Sequence, residues 1–387
     1  MNTNSINKDF LEKIALAKGW FLNSGIQNLD KDKETYGSFN AWYDTAKKQF
    51  SFAYSEITGY GINTLLYLNK IEANNILIER AKIAADWLIN KAYAENEGFF
   101  CRYENNQFMD RFCAFDAGMC LNAFVNLYRS TRDEKYLEIA KKIAYWLISK
   151  MQKKDGSFYT RYFKKKNIFE ENGDKWSKQS GTFLTKVSIG LLNLYMILDD
   201  EKYKEAVRKI CNFTLKSQEK DGRFITNTID KSTFIHPHCY TIEGLLSAAI
   251  ILNDKKYLES AINALNWISK NQLQNGSFPA HFINNKFVNV ESPDISSQVM
   301  RLYLLMKDFE NIKSINLESG IKRVFEFQCT DNKKESHGGF IAGNAWFYPE
   351  NNNVKHINSW VTMFTIQTLN MYLNQDILRN FNMGDLV

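Results

Sequence analysis

Apolar residues recur three and four positions apart through a phrase that the chain writes three times. The copies read DEKYLEIAKKIAYWLISKMQKKDGSF from Asp133, DEKYKEAVRKICNFTLKSQEKDGRF from Asp200 and DKKYLESAINALNWISKNQLQNGSF from Asp254. This period predicts an amphipathic helix with one apolar stripe, ended by a Gln, an Asp/Asn-Gly turn and an aromatic residue. Looser copies lie at residues 76–99, at FLEKIALAKGWFLNSG with YGSF from Tyr36, and at SGIKRVFEFQ with GGF from Gly338. Six units result. A unit of this size cannot bury its apolar face alone, so the units must pack side by side.

Between the phrases run helices of a second kind, apolar on nearly all sides, beginning near Ser55, Phe115, Phe183, Cys239, Ser292 and Asn358. A helix apolar all round is buried, whereas the Lys/Glu-rich repeat helices have one face to hide. The pattern therefore predicts an all-α (α/α)6 barrel, a single toroid domain over residues 1–387, with the apolar helices inside. Connections from inner to outer helix are short. Those from outer to inner are long and contain Pro237, Pro279, Pro293 and Pro349. Within them DGSFYTRYF and NGSFPAHFINNKFVNV alternate in strand fashion and predict β-hairpins. All the long loops emerge on one face, around the N-termini of the inner helices, which is where the site is expected.

Polar residues that open the inner helices are the candidates for chemistry. They are Glu56, Asp116, Lys186, His238 with Tyr240 and Glu243, Asp294 with Gln298, and Asn358 with Trp360. A first-turn carboxylate also complements the helix dipole, so position alone does not make it catalytic. In HPHCY, from His236, adjacent donors cannot converge on one tetrahedral ion, and neither metal nor cofactor is expected. Loop aromatics such as Trp42 and Trp346 have no core to demand them, and flat apolar faces suit sugar rings. Loop 152–181 carries more Lys and Arg than Asp and Glu, which favours an anionic ligand.

Composition narrows the classes. The net charge of +6 is too small and dispersed for nucleic acid. No apolar run is long enough to span a membrane. The N-terminus lacks the basic and apolar regions of a signal peptide, and the 6 cysteines show no CxxC spacing. These features point to a reduced, cytoplasmic protein. Oligomeric state is left open.

The Gln-x-x-Asp-Gly-Ser-Phe ending resembles that of the six-hairpin toroid proteins, which include glycosidases, uronate-acting enzymes and sugar epimerases. SEITGYG, FDAGM, HCYTIEGLL, SPDISSQVMRL and NSWVTMF are similar to segments of toroid proteins from exopolysaccharide and capsule gene clusters. The resemblance runs from about Phe10 to Leu373 and implies a carbohydrate-active protein of polysaccharide biosynthesis or processing. Hydrolysis would pair Asp116 with Glu56 or Asp294, with His238 and Tyr240 positioning substrate. Epimerisation or elimination would instead move a proton through Tyr240 or His238, with Arg102 or Arg111 facing a carboxylate. Tyr60, His236, Glu243, Gln298, Trp346 and Trp360 complete the expected substrate contacts. The alternative is a glycan-binding or scaffold protein of the same machinery that turns nothing over.

Overall fold

The computed structural model describes residues 3–343 and 355–387. In chain order its main helices are α1 (Thr3–Asn23), α2 (Ser55–Glu72), α3 (Asn75–Trp87), α4 (Ala114–Thr131), α5 (Glu134–Trp146) and α6 (Val187–Leu198). They continue with α7 (Glu201–Leu215), α8 (Ile235–Leu252), α9 (Lys255–Ser269), α10 (Pro293–Met306), α11 (Leu317–Phe325) and α12 (Ser359–Leu373). The even-numbered helices touch in sequence, and α12 returns to α2, so the inner ring closes. Burial follows the two patterns of the sequence. Helix α8 is buried without interruption from Ile235 to Ala249, whereas α7 buries only a stripe that includes Tyr203, Val207 and Ile210.

Each conserved-looking letter of the repeated phrase has a structural task. Asp133, Asp200 and Asp254 cap the outer helices by accepting from the backbone N–H two residues on. Tyr136, Tyr203 and Tyr257 pack beneath the first turn. The glutamine is a clamp. Gln218 Nε2 donates to Gly222 O in its own turn and to Ser260 O in the next outer helix, both at 2.9 Å. Gln27, Gln152 and Gln272 make the same pair of bonds to their own turns and to Arg80, Ala206 and Asn316. Gln328 reaches Lys13 O at 2.8 Å, which ties the last unit to the first.

The copy at Asp133 holds one residue more between its capping Asp and its glutamine than the copies at Asp200 and Asp254, as the looser copy before it does between Asn74 and Tyr93. The extra residue is absorbed in π-helical turns, Leu88–Ala92 and Leu147–Met151. The glutamine thereby stays in phase with its neighbour.

The long connections carry the expected hairpins. Arg161–Phe163 pairs with Ile168–Glu170, and His281–Ile283 pairs with Lys286–Val288. Strand Trp42–Asp44 also pairs with His356–Asn358, joining the first and last units on this face. At the opposite end, residues 383–387 enter the barrel. Asn122 and Asn126 donate to Gly384 O, and Val387 N donates to Gln367. Lys186, at the N-terminus of α6, donates to Val387 O at 3.2 Å.

The turn glycine gives a direct test of the clamp. At Gly222 φ is +100°, and an added Cβ would lie 2.4 Å from Asn263 O of the next outer helix. Gly222→Ala should cost at least about 2 kcal/mol in urea unfolding, since both the backbone strain and the clash are unavoidable. Gly19, inside α1, has nothing within 4 Å of such a Cβ. There Gly→Ala should stabilise by about 0.5–1 kcal/mol.

Candidate active site

The long-loop face opens into a cleft of about 700 Å³. Glu56 and Asp116 enter it from the first turns of α2 and α4. Arg102 comes from the strand Arg102–Glu104, and Arg111 from the residue before Phe112–Cys113. Aromatic walls stand on both sides. Trp42 stacks on His356 at 4.9 Å and meets Trp360 edge-on at 6.5 Å, while Trp176 packs edge-on against Phe183 at 5.1 Å.

Burial dominates the electrostatics of the two acids. It pushes the Glu56 carboxyl up to about 7, against the pull of the Tyr54 hydroxyl, Lys186 and Arg102. The Asp116 carboxyl is raised well above the usual range, by burial first and then by its neighbours Cys101 and Glu56. Burial thus biases both carboxyls towards the protonated form. Arg102 lies with its guanidinium carbon 4.0 Å from the centre of the Phe52 ring. The Nε atoms of Arg102 and Arg111 are buried without a hydrogen-bond partner, while both side chains line the cleft.

The two histidines of HPHCY divide: His236 reaches the cleft, as a substrate contact would, and His238, expected to be catalytic, does not. His236 lines the cleft, with Nδ1 2.8 Å from Asp294 Oδ2. Asp294 also accepts from Ser292 Oγ and is fully buried, so it acts on His236 from behind rather than on a ligand. His238 points into the outer wall. Its Nδ1 accepts from Phe224 N at 3.4 Å, its Nε2 lies 3.2 Å from Ala264 O, and Trp267 stands edge-on at 5.3 Å. Two residues along a helix is a rotation of about 200°, which is why one ring meets the cleft and the other the wall.

Other expected contacts lie beneath the cleft. Tyr240 lines it, but Tyr60 is covered by it, and the two hydroxyls meet at 3.3 Å. Burial holds the Tyr240 phenol well above its ordinary range. Glu243 is sealed between Lys186, at 2.8 Å, and Arg301, at 2.6 Å, and has no route to substrate. Gln298 is fully buried, and its amide has no hydrogen-bond partner among the described residues. Trp360 lines the cleft, and Trp346 lies outside the described residues.

Sequence reasoning missed Cys101 and Cys113, which line the cleft beside Asp116. It also missed Arg301, whose place at the third turn of α10 looks like ordinary helix filling.

A model of glycosyl hydrolase family 76 matches residues 78–241. No curated protein matches the chain. Among solved structures, a cellobiose 2-epimerase from Bacillus thermoamylovorans aligns with a TM-score of 0.73 at 15% identity, over 95% of this chain and 99% of that one. A sugar epimerase from a ruminal bacterium gives 0.75 at 11%, over 97% and 99%. An unsaturated glucuronyl hydrolase from a Bacillus species gives 0.68 at 13%, over 95% and 97%. The chain is an (α/α)6 toroid.

The wall histidine of this toroid makes its stability depend on acidity. Burial depresses the His238 pKa to about 4, from an ordinary 6.5. The folded state thus binds fewer protons than the unfolded one, and the stability present above about pH 6.5 is lost as pH falls towards 4. The loss attributable to this ring is about 3 kcal/mol. Urea midpoints between pH 7 and pH 4.5 should fall less steeply in His238→Gln than in the parent.

Proposed function

We propose that this toroid is an enzyme acting on an anionic, uronate-type glycan by acid/base chemistry. The observation that carries the reading is that two carboxyls, Glu56 and Asp116, share one cleft with two guanidiniums, Arg102 and Arg111. Glycosidic cleavage needs one carboxylic acid to protonate the leaving oxygen and one carboxylate to activate water or face the sugar cation. Glu56, whose carboxyl burial raises to about 7, can supply either form near neutral pH. Arg102 and Arg111 fit a substrate carboxylate, and Trp42, Trp176 and Trp360 offer faces for sugar rings.

His236, oriented by Asp294, is a further proton-transfer group on the Tyr240 side of the cleft, 4.4 Å from that ring. The match to glycosyl hydrolase family 76 spans Asp116, His236 and Tyr240. The structural neighbours include proteins named as epimerases and as a glucuronyl hydrolase, which supports carbohydrate as the substrate. We place the reaction in polysaccharide assembly on the segments that resemble capsule and exopolysaccharide toroids. The cysteines, all free, suit a reducing compartment such as the cytoplasm.

Two substitutions test this. Asp116→Asn, nearly isosteric, should lower kcat on any accepted glycan by about 10²–10⁴-fold, read as new reducing ends or as changed sugar stereochemistry. Unchanged turnover would refute the carboxyl pair. Arg102→Gln should raise KM for a uronate-bearing glycan by about tenfold or more and leave a neutral glycan of the same length unaffected. If the parent binds these glycans and forms no new species, the protein is a binding module.

A further inference from the structure

One cluster at the cleft floor is left unused by the glycan reading. Cys101 follows the strand Gly98–Phe99, Cys113 ends the strand Phe112–Cys113, and Asp116 stands in the first turn of α4. The bond from Cys101 N to Arg111 O, at 2.8 Å, fixes the register between the two segments. Cys113, two residues beyond Arg111, then sits diagonally across from Cys101 on the same face. One ligand atom from each of the three side chains lies within 4.8 Å of the other two. Among the described residues no second group of three such donors is this close. Cys101 and Asp116 are buried, and Cys113 is half-buried. Asp116 Oδ2 is shut off from solvent with no hydrogen-bond partner, and an orphaned carboxylate oxygen is costly unless something binds it.

We propose that Cys101, Cys113 and Asp116 bind a thiophilic divalent cation of the zinc class, with the fourth coordination position open to the cleft. Two sulfurs and one carboxylate oxygen match zinc or cobalt and exclude the hard ions magnesium and calcium, which take oxygen ligands. Tetrahedral bonds of about 2.3 Å to sulfur and 2.0–2.2 Å to oxygen bring ligand atoms to within about 4 Å of one another, so side-chain rotation alone closes the site. Charge balance also fits. Two thiolates and a carboxylate are offset by a divalent ion together with Arg111, whose Nη2 is 3.4 Å from Cys101 Sγ. An N–H bond to a ligating sulfur is the outer contact that orients metal thiolates. One carboxylate cannot both hold an ion and move a proton. The loaded site and the acid/base site of the glycan reaction are therefore exclusive states of one floor.

The experiment is a titration of the full chain, reduced and stripped with a chelator, with cobalt(II) alone. One equivalent should produce a sulfur-to-cobalt charge-transfer band in the near ultraviolet and intense visible bands of tetrahedral cobalt. Zinc should bleach both one for one. Cys101→Ser or Cys113→Ser should cut the charge-transfer band by about half and weaken binding at least about tenfold, and the double variant should abolish it. Asp116→Asn should weaken binding without removing the sulfur band. Cys329→Ser, remote from the cluster, should change nothing. Should a cysteine variant fail to fold, Asp116→Asn and zinc competition still decide. No charge-transfer band while both thiols titrate as reduced would overturn the proposal. So would a band that survives the double variant, or a Cys101–Cys113 disulfide formed in place of metal binding. Glycan turnover is not read, so loss of the enzyme reading would leave this result intact.

Discussion

The clamp from each repeat glutamine to the next outer helix is the constraint on which the rest of this toroid depends. Its amide bridges two backbone carbonyls, one in its own Asp/Asn-Gly turn and one across the seam. Removing it would strand both carbonyls, and an unmet buried polar group costs more than a hydrogen bond returns. The turn glycine is bound to the same geometry, because the neighbouring helix passes where a side chain would be. The seam from Gln328 to Lys13 makes the array a ring instead of an open solenoid. One unit departs from the rule. Tyr93 stands where the glutamine would be, and Gly98 packs instead against Trp146 of the next outer helix.

A closed ring with fixed seams leaves its loops free to vary. The twelve-helix scaffold was legible from period and polarity alone, because each copy of the phrase obeys the same packing rule. Glu56, Asp116, Tyr240 and Trp360 were legible for a related reason. Residues that open inner helices must face the long-loop end, and the loops Arg102 and Arg111 occupy can lead nowhere else.

Helical phase and long-range pairing were not legible. His236 and His238 sit in one pentapeptide, and only the exact phase of α8 decides which meets Asp294 and which meets Ala264. The phase is set by contacts from α9 and α10, which sequence spacing does not encode. Cys101 and Cys113 look unrelated because twelve residues separate them, yet antiparallel pairing around Arg111 brings them to one face. Glu243 misled in another way. A carboxylate one turn beyond Tyr240 looks accessible until Arg301, from α10, is seen to close over it.

That closed-over charge bears on the cleft from below. Lys186, Glu243 and Arg301, two cations and one anion, sit together closed off from solvent. Burial lowers the Lys186 pKa to about 8, against the pull of Glu243. Its ammonium lies over the rings of Tyr240, at 4.4 Å, and Tyr60, at 4.9 Å, and it draws down the pKa of Glu56 above them. The Glu56 proton is thus poised between two opposing effects, desolvation that keeps it and a buried cation that releases it. The cation is itself held by Val387 O, delivered through the far end of the barrel. A segment some two hundred residues away in sequence thereby touches the lysine on which the balance of the cleft depends.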